Sequence, residues 1–304
     1  MAGVHRVVQH PVQAFAAALA AVGILSVMDA VMKALVLGIG IFAVSVWRSI
    51  ANLVLTGGLY LPRRRPWPSK PILKIHVARG VIVTIMAGLF FWGIGRVPLA
   101  QAIALTFIAP LIALILAAAF LHEQIGKRSL AGSLAAFAGV IVIVLGQARS
   151  ELGPEVLLGS LAIIGSALCY ACNIVLMRHQ ALAAKPLEIT FFQSLTVTVL
   201  WVMLIPFVGP PLWPSANWWI WIWIAAAMST AGGLFFAWSY ARAEASYLAV
   251  TEYSAFLWAS ALGWIVFREP VSLYTLAGAV LIVGGCILAA RAKVKQPGEV
   301  EVAT

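Results

Sequence analysis

The feature that most constrains the fold is a succession of long apolar segments. A helix that crosses the hydrocarbon core of a bilayer needs about 20 mostly apolar residues. Ten such segments are present, near residues 14–35, 40–61, 75–95, 98–121, 129–147, 156–178, 186–208, 217–240, 246–267 and 272–291. Hydrophobic residues make up 63% of the 304 residues and charged ones 10%, against roughly half and a quarter in soluble domains. The sequence therefore predicts an all-α membrane protein with ten transmembrane helices.

The ten segments are organised as two copies of one unit. When residues 97–145 are placed on residues 243–291 without gaps, an acid and two glycines coincide. The coincident pairs are Glu123 with Glu269, Gly132 with Gly278 and Gly139 with Gly285. Each copy has five segments, an odd number, so the second copy enters the membrane upside down. We therefore predict two inverted five-helix repeats, at 1–147 and 156–292, followed by a cytoplasmic tail at 293–304.

The fourth segment of each copy has a face of small residues. Thr106, Ala109, Ala113 and Ala117 recur at steps of three and four, and so do Glu252, Ala255, Ala259 and Gly263. Small residues at this spacing let helix backbones approach closely in lipid. Pro110 lies within the first of these segments and predicts a kink. The candidate packing and gating residues are therefore Pro110, Ala113, Ala259 and Gly263.

The basic residues predict the orientation in the membrane. Most of the 20 Lys and Arg residues fall on one side of the ten segments, the side that holds both termini and residues 63–65. Because cytoplasmic loops carry the excess of Lys and Arg, we expect both termini to be cytoplasmic and residues 209–215 to be external. This bias also accounts for the net charge of +10. The lipid bilayer is therefore the expected partner of the basic residues, and nucleic acid is not.

The sequence lacks the motifs of an enzyme or an ATP-driven pump. It has no G-x-x-x-x-G-K-[ST] phosphate loop and no H-E-x-x-H zinc motif. The five histidines fall in the tails or near the predicted cytoplasmic ends of segments, and the C-x-x-C at Cys169 and Cys172 lies inside an apolar segment. We therefore expect no cofactor, no metal and no catalytic residue.

The two copies resemble a known family. A fourth helix with proline or small residues, a Glu just after it, and a fifth helix led by Leu-Ala-Gly resemble the EamA-type exporters of the drug/metabolite transporter superfamily. The resemblance covers about residues 12–292 and extends to the bacterial branch that exports aromatic amino acids. It implies a multi-pass protein of the bacterial inner membrane, with a central cavity lined by helices 1, 3 and 4 of each half.

The resemblance implies a secondary transporter that exports a small molecule by alternating access. Our interpretation favours neutral or aromatic amino acids as substrates. Two alternatives stay open: export of another small metabolite or a cationic drug, and a lipid flippase or scaffold with a greasy cavity.

Charged residues inside the apolar segments are the candidates for binding and coupling. Asp29, Arg48 and Glu252 correspond to neutral Asn173, Gln193 and Thr106 in the other copy. Asp29, Lys33 and Arg48 either neutralise one another or line a substrate path. The other candidates for contacts with an amino-acid substrate are Trp92, Thr106, Phe107, Asn173, Tyr247, Tyr253 and Trp258.

Glu252 is the candidate for coupling, because no basic residue is expected at its depth. Its carboxyl group can bind either a proton or the ammonium group of a substrate, so protons are a candidate coupling partner. The alternative is a buried acid that only forms hydrogen bonds across the helix contact.

Overall fold

The computed structural model describes residues 11–63, 67–109, 112, 127–149, 153–242, 251–252 and 254–290. Within these residues the regular structure is helical and there are no strands, which confirms the predicted all-α class. The helices are α1 (Pro11–Ile39), α2 (Ile41–Tyr60), α3 (Lys70–Ile94), α4 (Leu99–Thr106), α5 (Lys127–Arg149), α6 (Gly153–Ala183), α7 (Pro186–Met203), α8 (Ala216–Tyr240), α9 (Ser254–Phe267) and α10 (Leu273–Ala290). A 3-10 turn, Leu61–Arg63, follows α2, and a short helix, Ile205–Val208, follows α7.

Among the described residues, six helices are long and apolar enough to cross a membrane: α1, α2, α3, α6, α7 and α8. Two shorter apolar helices, Ser254–Phe267 and Leu273–Gly285, also qualify by composition but not by length. The count of ten transmembrane helices therefore stays a prediction.

Helix boundaries follow local chemistry. A single residue, Gly40, separates α1 from α2 with a φ of 79°, a left-handed conformation that glycine adopts without steric cost. The Gly40 N–H donates to Val36 O at 3.0 Å, and Val44 N–H donates to Gly40 O at 3.2 Å. Proline occupies the first position of α7 at Pro186, where its missing N–H costs no helical hydrogen bond.

The chain forms two compact units, and the first comprises Met1–Thr84 and Leu176–Ala259. In this unit α1 runs antiparallel to α8, because Leu25 packs against Gly232 and Gly38 packs against Trp218. The equivalent helices of the two copies, α2 and α7, also run antiparallel. Their aromatic contacts are Phe42 with Trp201, at a ring-centroid distance of 6.3 Å, and Tyr60 with Phe191, at 4.6 Å. We call the end of this unit that carries exposed Arg63, Lys70, Lys74 and Lys185 the basic end.

The second unit comprises Ile85–Val175 and Ser260–Thr304, and glycines of the repeat hold it together. A Cβ atom on Gly139 of α5 would lie 2.5 Å from the carbonyl oxygen of Gly278 of α10, and a Cβ on Gly278 would lie 2.6 Å from that of Gly139. The backbones of these two equivalent, antiparallel helices therefore touch. Each of the two touching positions is also a glycine in the other copy, Gly285 for Gly139 and Gly132 for Gly278.

The repeat also extends to a Trp-x-x-x-Arg pattern that precedes residue 97. At the end of α3 the Arg96 guanidinium lies 3.6 Å from the ring centroid of Trp92, and at the end of α8 that of Arg242 lies 4.1 Å from the centroid of Trp238. Each Nη1 also donates to the carbonyl of its own Trp at 3.1 Å. Both arginines thus stack on a ring and bind a carbonyl that the helix end leaves without a helical partner.

Candidate transport site

Two opposite charges lie deep within the first unit. Asp29 of α1 and Arg48 of α2 interact electrostatically. Asp29 lies ten residues before the end of the 29-residue α1, which is about 15 Å along an axis of about 43 Å. The Arg48 side chain is 7% exposed. Because an isolated charge at this depth is costly, the pair supplies both signs of charge in one buried place.

Lys33 adds a second cation beside Asp29. It follows Asp29 by one helical turn, a spacing that brings side chains on a helix surface together, and it is 3% exposed. Asp29 and Lys33 therefore lie on the same face of α1. That the three charges neutralise one another or line a substrate path stays a prediction.

Neutral polar groups of α2 and α8 surround the Asp29–Arg48 pair. Arg48 Nη1 donates to Ser229 Oγ at 3.4 Å. One turn further along α2, Asn52 Oδ1 accepts a hydrogen bond from Thr230 Oγ1 at 3.2 Å. Sequence reasoning missed these partners, although hydroxyl side chains inside an apolar segment often mark a helix contact. The site therefore combines a cation, an acid, two hydroxyls and an amide on three neighbouring helices.

Glu252 lies elsewhere in the same unit. Its side chain is 8% exposed, and its Oε1 accepts a hydrogen bond from the Tyr240 hydroxyl at 3.0 Å. Tyr240 is the last residue of α8 and packs against the cluster of Ala14 and Ala18 near the start of α1. Glu252 is therefore separated from Asp29 by several turns of α1, near the basic end.

Tyr240 also escaped sequence reasoning. The sequence does contain a sign of this pair, because both residues differ from their equivalents in the first copy. Tyr240 corresponds to Ile94 and Glu252 to Thr106. Both polar members of the pair thus belong to the same copy.

Trp258 and Ala259 complete the candidates in this unit. The Trp258 indole faces Gly23 of α1, where a Cβ atom would lie 3.5 Å from the ring, and 45% of Trp258 is exposed. Ala259 is 1% exposed, as a packing residue should be.

The candidates of the second unit have local partners. The hydroxyl of Thr106 donates to Ile103 O of its own helix at 2.7 Å. Phe107 and Asn173 are buried, and Arg96 covers one face of the Trp92 ring. A Cβ atom on Gly263 would contact Leu99 and Glu269. Tyr247, Tyr253, Pro110 and Ala113 lie outside the described residues.

Glu269, one of the two repeated acids, joins two helices. Its backbone N–H donates to Gly263 O at 3.1 Å at the end of α9. Its Oε2 accepts from the backbone N–H of Leu99 at 2.9 Å, at the start of α4. The carboxylate thus satisfies a helix-terminal N–H that has no helical partner. Its counterpart Glu123 lies outside the described residues.

Comparison with known proteins identifies the family. The chain matches the EamA-like transporter family over residues 13–145 and 157–291, which are the two repeats. It is a member of this family. The resemblance inferred from the sequence, with its membrane and transport character, is thereby confirmed, and the members of this family are transporters rather than enzymes.

Relatives of this EamA-like transporter are named for several substrates. It is 26% identical over 272 residues to the pseudopaline exporter CntI of Pseudomonas aeruginosa, which covers 88% of this chain and 92% of the relative. It is 23% identical to a riboflavin transporter of Brucella anthropi, covering 82% and 88%. It is 26% identical to the aromatic amino acid exporter YddG of Ancylobacter novellus, covering 74% and 77%. These relatives carry small metabolites, and their names differ in substrate.

A crystal structure of another protein has the same fold. It is 19% identical in sequence, has a TM-score of 0.61 and covers 92% of this chain and 96% of its own. Within the described residues, no group of three or more His, Cys, Asp or Glu side chains is placed to hold a metal ion.

Proposed function

We propose that this EamA-like transporter exports small zwitterionic metabolites, foremost neutral and aromatic amino acids, across the bacterial inner membrane. The observation that carries the proposal is the electrostatic pairing of half-buried Asp29 with buried Arg48, at least ten residues from either end of α1. An amino acid presents one carboxylate and one ammonium group, and this pair offers one partner for each. The name of one relative, an aromatic amino acid exporter, supports a substrate of this kind.

Binding exchanges one set of ion pairs for another. In the free protein Asp29 and Arg48 neutralise each other, so the buried charges are tolerated without substrate. When an amino acid enters, its carboxylate binds Arg48 and its ammonium group binds Asp29. Lys33 and Ser229 lie close enough to these two residues to assist with the carboxylate. A sugar or a purely apolar molecule has no carboxylate or ammonium group to replace the partners of Asp29 and Arg48. It would leave these two charges poorly solvated, so the site discriminates against it.

Alternating access follows from inverted repeats. Two pairs of equivalent helices, α2 with α7 and α5 with α10, run antiparallel, which supports an arrangement of two inverted five-helix copies. Such repeats place the substrate between the copies and expose it to each side in turn. The basic residues favour cytoplasmic termini, so the direction of export is from the side of the basic end outwards.

Glu252 remains the candidate for proton coupling in this mechanism. The Tyr240 hydroxyl that donates to it at 3.0 Å stabilises the ionised carboxylate, and it can equally accept from the protonated form. Glu252→Gln keeps the shape but cannot ionise. If Glu252 couples transport to protons, this variant inserts normally and exchanges substrate without a response to a pH gradient. An unchanged response assigns Glu252 a structural role only.

The test of the proposed substrate is counterflow in proteoliposomes. We expect labelled phenylalanine or leucine to accumulate, and Arg48→Gln to weaken apparent affinity by about 30-fold or more, because it removes one partner of a buried charge pair. Lys70→Gln, at an exposed position of the basic end, is the matched control and should transport normally.

A second variant separates folding from binding. The double variant Asp29→Asn with Arg48→Gln removes both members of the charge pair together, so it should fold at least as well as the single variants and still not bind amino acids. Flux of sugars only, of cationic drugs only, or lipid scrambling without amino-acid flux would each overturn the proposed substrate.

A further inference from the structure

A second polar cluster lies at the basic end of the first unit, and the transport site does not use it. It consists of His76 and Arg79 of α3, Gln180 of α6 and Glu188 of α7, and we call it the histidine cluster. His76 is 1% exposed, Gln180 2% and Arg79 6%. His76 Nδ1 lies 2.9 Å from Gln180 Nε2, and His76 Nε2 lies 3.4 Å from Glu188 Oε1. Three helices therefore meet through one imidazole ring.

Arg79 determines which way the Gln180 amide points. Arg79 Nη1 donates to Gln180 Oε1 at 2.8 Å. A guanidinium can only donate hydrogen bonds, so the amide oxygen must face Arg79 and the amide NH2 must face His76. The NH2 group donates to His76 Nδ1, which is therefore an acceptor without a hydrogen. The proton of the neutral ring then lies on Nε2 and points to the Glu188 carboxylate.

All hydrogen bonds of this network can form only when the His76 ring is neutral and carries its hydrogen on Nε2. A second proton at Nδ1 would place two N–H donors against each other, at His76 and at Gln180. If the Gln180 amide turned over to accept the new hydrogen, its NH2 would face the Arg79 donor instead. One of the two links from α3 to α6 must therefore break when His76 is protonated. The link from α3 to α7 is retained, because an imidazolium pairs with the Glu188 carboxylate.

The surroundings of the ring supply one acid, one cation, one amide and one aromatic face. The charged groups that act on His76 are Glu188, from α7, and Arg79, from its own helix, whereas α6 contributes the neutral Gln180. The Phe192 ring stacks on the imidazole at a centroid distance of 5.1 Å and an interplanar angle of 11°. The Glu188 side chain is 15% exposed, so it connects the buried ring to water at the basic end.

We propose that His76 is a proton-binding site whose occupation partly detaches α3 from α6 at the basic end, because one of the two hydrogen bonds that α3 forms with Gln180 breaks. A hydronium ion transfers its proton to Nδ1, so one O–H bond breaks, one N–H bond forms and the ring becomes an imidazolium. One hydrogen bond between Gln180 and α3 is lost, and the Glu188 contact is strengthened. The inference is independent of the amino-acid substrate, since it concerns helix contacts in the empty transporter.

The first test observes the ring itself. The protein is labelled with 15N-histidine and placed in lipid nanodiscs without substrate, and the His76→Gln variant assigns the His76 signals among the five histidines. We expect a neutral ring with the hydrogen on Nε2 at high pH, and a hydrogen on both nitrogens after acidification. A hydrogen on Nδ1 at high pH, or a ring that stays neutral until the protein unfolds, overturns the proposal.

The second test observes the helices. Spin labels at exposed Lys74 of α3 and Ala183 of α6, in a background without the three native cysteines, report the distance between the helices. We expect the distance to lengthen by about 2 Å or more on acidification, with the same midpoint as the His76 ring titration. A distance that does not depend on pH contradicts the proposed detachment.

Gln180→Glu provides the matched variant. A carboxylate at this position accepts from Arg79 and from a protonated Nδ1 at the same time, so it keeps α3 and α6 together when His76 is charged. The variant should retain ring protonation but lose the change in distance. If its distance responds to pH as the wild type does, the amide geometry is not the cause of the release and the proposal fails.

Discussion

The histidine cluster has a counterpart at the opposite end of the same unit, and the counterpart is apolar. The internal repeat pairs His76 with Ile222, Arg79 with Ala225, Gln180 with Val36 and Glu188 with Ala43. Ile222 and Ala225 are 0% exposed and Ala43 is 3% exposed. Apolar side chains thus hold α1 against α8 at this end, whereas hydrogen bonds hold the equivalent helices α3 and α6 together at the basic end.

The comparison shows that two helices can pack in this way without polar residues between them. Apolar packing holds α1 against α8 and does not change with pH, whereas the hydrogen bonds of the histidine cluster depend on the protonation of one ring. A buried polar network also costs desolvation that apolar packing avoids. This chain has the buried polar network at the basic end and apolar packing at the other end. It therefore gains a response to pH at the basic end alone.

The largest effect is expected where the two copies do not differ, at the glycine contact of α5 and α10. Gly278→Leu would force a side chain into the carbonyl of Gly139 and should destabilise the fold by about 3 kcal/mol or more. Gly284→Leu is the control on the same helix, since a Cβ there has nothing within 4 Å. Fluorescence-detected size exclusion and thermal unfolding in detergent compare them, and equal losses in both would contradict a specific backbone contact.

The next effect tests the contrast directly by making the two ends alike. The quadruple variant His76→Ile, Arg79→Ala, Gln180→Val and Glu188→Ala copies the apolar end onto the basic end. We expect the free energy of unfolding to stay within about 1 kcal/mol or to rise, and the pH-dependent distance between α3 and α6 to disappear. A folded variant that keeps the pH response would locate the response elsewhere.

The reverse change should be poorly tolerated. Ile222→His places one imidazole among apolar neighbours without the glutamine, arginine and glutamate that serve His76. We expect a loss of about 2 kcal/mol from an unsatisfied buried polar group and lost packing, measured by thermal unfolding. Ile222→Leu, which keeps the volume and the apolar character, is the control and should change stability little.

The smallest effect concerns the repeated Trp–Arg stacks. Arg96→Gln and Arg242→Gln should each lower stability by about 0.5 to 1 kcal/mol, the value of a partly exposed cation–π contact. The loss at Arg96 should be slightly larger, because its Nε also donates to Glu155 at 2.8 Å. Markedly unequal losses, beyond what that exposed pair can add, would show that the two stacks are not equivalent.

Sequence reasoning reached the family, the helical class and the repeat, because apolar length and repeated glycines are local signals. It did not foresee that Gly139 and Gly278 touch, since contact between helices depends on packing that the pattern does not contain. The position of His76 near a predicted helix end gives no sign of the cluster around it. Its partners Glu188 and Gln180 lie on two other helices, 112 and 104 residues further along the chain, so no sequence periodicity indicates them.

The transport site was predicted only in part. Asp29 and Arg48 stood out because charges are rare in apolar segments, and their electrostatic interaction agrees with that reasoning. Ser229 and Tyr240 did not stand out, because hydroxyl residues are ordinary in membrane helices and acquire a role only through the neighbour they face. The Trp–Arg pattern was missed for a simpler reason, as it begins before the aligned stretch.

The junction at Gly40 has a mechanical consequence for transport. Its N–H donates the last hydrogen bond of α1 and its carbonyl accepts the first of α2. The two helices are therefore joined without a flexible linker. Asp29 and Arg48 therefore belong to one stiff hairpin, and neither can be drawn away from the other by a hinge at this point. Release of substrate must come from displacement of the hairpin as a whole against other helices. A longer, flexible insertion at Gly40 would decouple the two arms and abolish turnover while leaving the charges in place.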